Sequence, residues 1–508
     1  MISRKKKGLK ILFVSSEQTG FAKIGGLGEV MFSLPRALRE IGHDARVFMP
    51  RYASINPEQH KLTMVCEGLE VPSAIRNPKK NIICNVLLSV PNGNHNENAP
   101  TYFLENQEYY EMRSNVYGYM DDRIRFALLS RGALTFLAQK SDWIPDVIVG
   151  ADWITGWVLN ILRTEYQSDP RLSKIATVYS IHNIGGNQGM RMHHRFIPEG
   201  DRDDGFGEIP DLFSPRIDFT NSVRRGILHA DVINTVSPTH AKEILTEEFG
   251  EGVEGLLTER RDRLYGILNG IDYSTNDPST DNVLAKNFSV KNINARAENK
   301  RALQDRFGLP RDENVFLIGI VARLTKQKGF NLLIPIIDQF FKSTGSQLVV
   351  VGTGEPEIMQ FFRDAEKKYP LQLRSHLQFD GTIPREIFAG ADAVLIPSSF
   401  EPCGLTQMEA MRYGAVPIAR RIGGLADSVK EYSPEKKTGN GFLFDDSDPI
   451  AFLIALTKAF AIWQHPASWR AIVKNCMKED FSWEHSAKEY EKLFRLAIRI
   501  RQDDIRGK

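Results

Sequence analysis

Two separate series of short apolar runs, each run followed by a loop and an amphipathic helical stretch, constrain this chain more than any other feature. The first series contains ILFV (11–14), ARVFMP (45–50), DVIVG (146–150), IATVYSIHN (175–183), ADVINTVSP (230–238) and LYGILNGID (264–272). The second contains VFLIGIVA (315–322), QLVVVGTG (347–354), LQFDG (377–381), AVLIPSS (393–399) and AVPIARR (415–421). Runs of this length, apolar throughout, suit strands buried on both faces of a parallel sheet. Stretches such as 30–42, ended by Gly42, and 154–166 read as the helices between them. The fold class is therefore α/β, with two Rossmann-like domains. The stretch 273–312 is rich in Asp, Asn, Ser, Thr and Lys and reads as a junction. The expected divisions are a first domain over 1–272, a linker with a leading helix over 273–312, and a second domain over 313–478. An amphipathic helix over 479–508 completes the chain.

Composition narrows the function. Lys plus Arg is 65 and Asp plus Glu is 63, so a formal charge of +2 argues against a dedicated nucleic-acid binder. Cys66, Cys84, Cys403 and Cys476 lie far apart and show no zinc-type spacing. Free thiols in a reducing compartment are expected. The apolar run after the basic start MISRKKKGLK is too short for a signal sequence, and no window suits a membrane span. A cytoplasmic protein with no membrane or nucleic-acid partner is the expectation.

Two loops echo each other: Lys23-Ile24-Gly25-Gly26-Leu27-Gly28-Glu29 and Arg421-Ile422-Gly423-Gly424-Leu425-Ala426-Asp427. Glycine at a helix start lets backbone N–H groups approach a phosphate, and the helix dipole favours the anion. A tight turn without ligand uses the same glycines. Arg323 and Lys328 follow an apolar run and can converge on a diphosphate as a planar fork and a point charge. In 398–411, Glu401 belongs to a loop, a helix starts near Gly404, N–H groups around Thr406 face an anion, and Glu409 follows from the helix. Carboxylates so placed can grip sugar or ribose hydroxyls. His182, at a strand end, can bond a sugar hydroxyl as neutral imidazole. His193 and His194 lack carboxylates at ligand spacing, so no metal is expected. Cys403 reads as a packing residue, not a nucleophile.

These segments resemble the ADP-glucose-dependent glycogen and starch synthases of bacteria and plants, from Lys10 to about Phe494. The landmarks are KIGGLGEV, PRY (50–52), YGYMDDRIRFALLSRGAL (117–134), ADWITG (151–156), IHNIGGNQGM, NTVSPTHAKEI, RRDRLYGILNGID, ARLTKQKG, FEPCGLTQMEAMRYG, RRIGGLAD and DFSWEHSAKEY. The resemblance implies a GT-B fold, two Rossmann-like domains facing across a cleft, with the last helix returning to the first domain. It implies retaining transfer of glucose from ADP-glucose to the non-reducing end of an α-1,4-glucan such as glycogen, with no metal and no cofactor. It places Arg323 and Lys328 on the donor diphosphate, Glu401 and His182 beside the donor sugar, and Asp152 near sugar and acceptor. It places Lys23, Gly25 and Gly26 on phosphate, and Thr406, Gly423 and Gly424 on phosphate or sugar hydroxyls.

The chain departs from the family pattern at several points. Ile24 and Ile422 replace threonines, Glu29 replaces aspartate, Ala151 and Ile154 replace histidines, and Arg224 stands where lysine is usual. The 182–189 loop is longer by one residue, and the loop before Ile387 is shorter. Glu409 matches the second glutamate by which the wider group of retaining transferases binds ribose. Two alternatives follow: a related glucosyltransferase using UDP-glucose or another acceptor, and a weakly catalytic glucan-binding homologue.

Overall fold

Most of the apolar runs are buried because they form the inner strands of two sheets. The computed structural model describes residues 7–91, 98–184 and 204–507. Two compact units emerge: Met1–Val236 with Ala241–Ile267 and Trp483–Lys508, and Ser237–His240 with Leu268–Ser482.

In the first unit the strands are β1 (Lys10–Val14), β2 (Asp44–Pro50), β3 (Thr63–Pro72), β4 (Asn81–Ser89), β5 (Thr101–Glu105), β6 (Val147–Ala151), β7 (Ala176–Ile181), β8 (Val232–Thr235) and β9 (Leu264–Gly266). Their order is β3-β4-β5-β2-β1-β6-β7-β8-β9. The β3–β4 and β4–β5 pairings are antiparallel, and the rest are parallel. Ile11, Leu12, Phe13 and Val14 of the central β1 are sealed from solvent. The helix Trp483–Arg506 belongs to this unit. Its Trp483, Ala487, Tyr490, Phe494 and Ala497 recur at helical spacing and join the core. Phe494 meets Phe13 edge-on at 6.3 Å.

The second unit holds β10 (Leu317–Val321), β11 (Gln347–Val351), β12 (Leu373–His376), β13 (Ala393–Ile396), β14 (Val416–Arg420) and β15 (Phe442–Phe444). They form a wholly parallel sheet in the order β12-β11-β10-β13-β14-β15. The strand expected over 377–381 lies instead at Leu373–His376. Leu373 is the buried residue and Phe379 is 87% exposed. Asp380 Oδ1 accepts from the N–H groups of Thr382 and Ile383 and opens the helix Ile383–Gly390.

The stretch 273–312 is not a free linker; it lies within the second unit. Lys300 is buried, and its Nζ donates to the Glu313 and Val315 carbonyls and to Asp392 at 2.8 Å. Asp281 accepts from the Tyr413 hydroxyl at 2.6 Å and from Arg385 at 3.0 Å. Asp281, Asn299, Lys300 and Gln304 are the buried polar residues of this stretch, and each is hydrogen-bonded.

Each sheet reverses its winding once, between β1 and β6 and between β10 and β13. Open parallel sheets bind ligands beyond the strand ends at such a point, because the flanking loops diverge there.

Candidate active site

In the second unit, Arg323 and Lys328 follow β10 and Glu401 follows β13, so they flank that unit's reversal point. Lys328 Nζ lies 2.5 Å from Glu401 Oε2. The same oxygen accepts from Ser398 Oγ at 3.0 Å. Among the described residues Glu401 Oε1 has no partner, and Lys328 keeps two N–H donors uncommitted. Backbone and side-chain bonds lock the two loops together. Ser399 N and Oγ donate to the Gln327 carbonyl at 2.9 and 3.0 Å, and Gln327 Nε2 donates to the Phe400 carbonyl at 3.1 Å. Gly329 sits at φ +76°, and a Cβ there would meet the Pro397 carbonyl oxygen at 1.9 Å. Only glycine permits this contact. Arg323 is exposed, and its guanidinium has no partner among the described residues.

The loop carrying Glu401 is braced from beneath. Gln407 Nε2 donates to the Cys403 and Gly404 carbonyls and to Ser428 Oγ. Gly424 N donates to the Glu401 and Pro402 carbonyls, both at 3.1 Å. A Cβ on Gly423, at φ +45°, would stand 2.1 Å from the Glu401 carbonyl oxygen, and one on Gly424 1.9 Å from that of Cys403. The Gly424 N–H is spent on the Glu401 loop, and close backbone packing requires glycine at both positions. The helix expected to start near Gly404 begins at Thr406 and runs to Arg412. Glu409 lies in that helix's first turn. Burial pushes the Cys403 thiol up to about 12, so it stays protonated and is no nucleophile.

In the first unit, Lys23, Gly25 and Gly26 follow β1, Asp152 follows β6 and His182 follows β7. The glycine loop does cup an anion, but that anion is Glu17. Its Oε2 accepts from Ile24 N at 2.6 Å and Gly25 N at 2.8 Å, and its Oε1 accepts from the Tyr117 hydroxyl at 2.6 Å. A carboxylate before the helix Gly26–Glu40 is favoured by the helix dipole. The Gly25 N–H is therefore engaged by Glu17 in this structure. Unlike Gly423 and Gly424, Gly25 and Gly26 face open space, with nothing within 4 Å of a Cβ. Lys23 pairs with Glu29 at 2.8 Å, with side chains 49% and 28% exposed. Such a pair is worth at most about 1 kcal/mol and yields readily to a stronger anion.

These contrasts give a paired prediction. Gly424→Ala is expected to lower stability by about 2–4 kcal/mol, because backbone must shift. Gly25→Ala is expected to leave stability within about 0.5 kcal/mol. Urea unfolding of both variants checks this; equal losses would contradict it.

Asp152 sits at φ +50°, a strained conformation for a residue with a Cβ. Its Oδ1 accepts from His182 N at 2.7 Å and Asn183 N at 3.2 Å. Burial pushes its carboxyl up to about 7, helped by the Glu17 charge and opposed by those two N–H groups. Burial also holds His182 down to about 4, so its imidazole is neutral. Ser180 Oγ lies 3.1 Å from His182 Nε2. An acid whose folded pKa is raised binds its proton more tightly when folded, so stability present below pH ~4 is lost as pH rises through about 7. Asp152→Asn keeps both N–H bonds and removes the titration. Its stability advantage over wild type is expected to grow by about 1–3 kcal/mol between pH 5 and pH 8. Urea titrations at both pH values check this, and a constant difference would contradict it.

The loop from Gly185, with His193 and His194, lies outside the described residues. Among the described residues no cluster of three His, Cys, Asp or Glu side chains suits a metal, and no single helix is long and apolar enough to cross a membrane. Sequence reasoning missed Glu17 and Gln407. Glu17 stands out only once the fold curls the glycine loop back onto it, through Ile24 N and Gly25 N, and brings Tyr117 from 100 positions away. Gln407 lies in the quoted FEPCGLTQ motif, but its bracing bonds to Cys403, Gly404 and Ser428 need the fold.

Residues 10–259 match the family described as starch synthase catalytic domain, and residues 302–475 match glycosyl transferases group 1. The glycogen synthase of Clostridium novyi is 39% identical over 96% of this chain and 98% of its own length. That of Geotalea daltonii is 40% identical over 96% of this chain and 99% of its own. The chain belongs to the glycogen and starch synthase family. Members of this family are glucosyltransferases, and the fold class is GT-B. The catalytic domain of starch synthase IV from Arabidopsis thaliana, solved with ADP and acarbose, superposes with a TM-score of 0.79 at 32% identity. It covers 97% of this chain and 100% of that one. The sucrose-phosphate synthase of Thermosynechococcus elongatus shares the fold, with a TM-score of 0.55 at 18% identity, 96% of this chain and 98% of that one.

Proposed function

We propose that this glucosyltransferase takes glucose from ADP-glucose and adds it, with retention, to the 4-OH at the non-reducing end of an α-1,4-glucan. The observation that carries the donor assignment is the set of charges at the reversal point of the second sheet. Among the described residues exposed Arg323 has no side-chain partner, and Lys328 is shared with a carboxylate that keeps one oxygen uncommitted. Breaking the glycosidic bond adds negative charge to the departing diphosphate and positive charge to the sugar. Fixed cations stabilise the first, and a fixed carboxylate stabilises the second.

The roles follow. Arg323 grips the diphosphate through its fork, and Lys328 gives it a point charge. Glu401 orients the donor sugar through Oε1, with Gln407, Gly423 and Gly424 holding its loop. Thr406 and Glu409 bind phosphate and ribose hydroxyls. In the first unit, Lys23 exchanges Glu29 for phosphate, Gly25 and Gly26 leave room for the ligand's approach, and His182 bonds a hydroxyl of the transferred glucose. Asp152, titrating near neutrality, serves sugar and acceptor. Protein cations take the place a metal holds in other nucleotide-sugar enzymes. The neighbour solved with ADP supports adenine as the base.

A donor comparison with glycogen as acceptor tests this reading. Glucose incorporation from ADP-glucose is expected to exceed that from UDP-glucose by at least about tenfold, and EDTA is expected to leave it unchanged. Incorporation only from UDP-glucose would replace the donor. None from either would overturn the proposal.

A further inference from the structure

The first unit carries a second polar concavity at the opposite end of its strands. Asp152 and His182 follow β6 and β7, whereas Lys174 and Asp231 precede β7 and β8. A strand of this length spans roughly 20 Å, so the two ends present separate surfaces. The helix Asp152–Thr164 runs between them, with Asp152 at one end and Arg163 near the other. The concavity has a volume of about 810 Å³. Arg163, Lys174, Arg260, Arg263 and Arg501 line it, against Asp231, Asp262 and Asp504.

The way these cations are held is informative. Arg163 Nη2 meets Asp231 at 2.6 Å, and Arg263 is 3.7 Å from Asp504. Arg260 and Arg501 rest on neutral acceptors instead. Arg260 donates to the Leu228 and Ala230 carbonyls at 2.7 and 2.6 Å. Arg501 donates through Nε and Nη2 to the Ser173 carbonyl at 2.9 and 2.6 Å. Among the described residues neither has a carboxylate within ion-pair distance, and Lys174 is exposed with no side-chain partner. Carbonyls orient a guanidinium without cancelling its charge. Burial and the neighbouring guanidiniums press Arg163 and Arg260 below the usual arginine range. His229 on the same wall adds no charge at neutral pH, since burial holds it down to about 4. Fixing like charges side by side costs stability unless an anion joins them.

We propose that this pocket is a second anion site that binds a phosphate dianion, free or carried on a small sugar, separately from the transfer chemistry. Arg501 and Arg260 supply oriented donors, Lys174 supplies a mobile charge, and Ser168, Ser173 and Gln167 on the wall suit the hydroxyls of an attached sugar.

Calorimetry at low ionic strength on the full chain carrying Arg323→Ala, Lys328→Gln and Lys23→Gln tests it, because the proposed donor-phosphate cations are then removed. Inorganic phosphate and fructose 6-phosphate are the two probes. One site per chain is expected. Adding Lys174→Glu or Arg501→Gln is expected to weaken binding at least about tenfold. Lys174 is exposed, so that variant keeps the test independent of folding. Tighter binding of fructose 6-phosphate assigns a sugar phosphate, and equal affinity assigns the phosphate group alone. No binding in the triply substituted chain, or binding that both added variants leave intact, would overturn the site without touching the donor proposal.

Discussion

Arg323→Ala is expected to lower kcat/KM for ADP-glucose by about 10²–10³-fold while leaving the unfolding midpoint unchanged. Each charge-assisted hydrogen bond to an ionised group is worth about 1.5–3 kcal/mol, and a guanidinium makes two to one diphosphate. A loss of about 3–4 kcal/mol at the transition state gives that range. The stability half of the prediction rests on geometry: the side chain is exposed and has no partner among the described residues. Surface substitutions of that kind stay within about 0.5 kcal/mol. Steady-state kinetics and thermal melts on the same preparation check both halves. A fall in activity that tracks a fall in stability would contradict the assignment.

Glu401→Gln is expected to cost more in turnover, about 10³-fold in kcat, with ADP affinity changed by less than about tenfold. Glutamine keeps the side-chain length and still accepts a bond from Lys328. The variant therefore removes charge and little else. Glu401→Ala is a poorer probe, since it strands a mostly buried ammonium; Lys328 is 18% exposed and Glu401 12%. If Glu401→Gln retained wild-type turnover, the carboxylate would have only a structural role. Radiolabelled glucose incorporation with parallel ADP titration separates these outcomes.

The central parallel strands were legible because each is a continuous apolar run, whereas β5, β12 and β15 were not read as strands. Other parts of the fold carry no such pattern. β3 faces solvent at most positions and breaks its pairing with β4 at Met64, Cys66 and Leu69, so no alternation survives. The offset at β12 arose from Phe379, an aromatic residue that the fold leaves exposed. Residues 273–312 read as a linker because Lys300, Asp281 and Asn299 are polar, yet all three are buried.

The two glycine loops show the same limit within the site. Their residues match almost position for position, but Ile24 is 64% exposed and Ile422 is buried. One glycine pair faces open space, and the other is wedged against the loop of Glu401. The sequence motifs nominate Arg323, Lys328 and Glu401 as candidates without showing that any two of them touch. The contact between Lys328 and Glu401 spans 73 positions and needed the fold.

The most direct test of the central claim is calorimetric titration of wild type and Arg323→Ala with ADP and with adenosine. Retention of the diphosphate by Arg323 and Lys328 predicts that ADP affinity falls at least about tenfold in the variant while adenosine affinity is unchanged. Equal ADP affinity in the two proteins would contradict it.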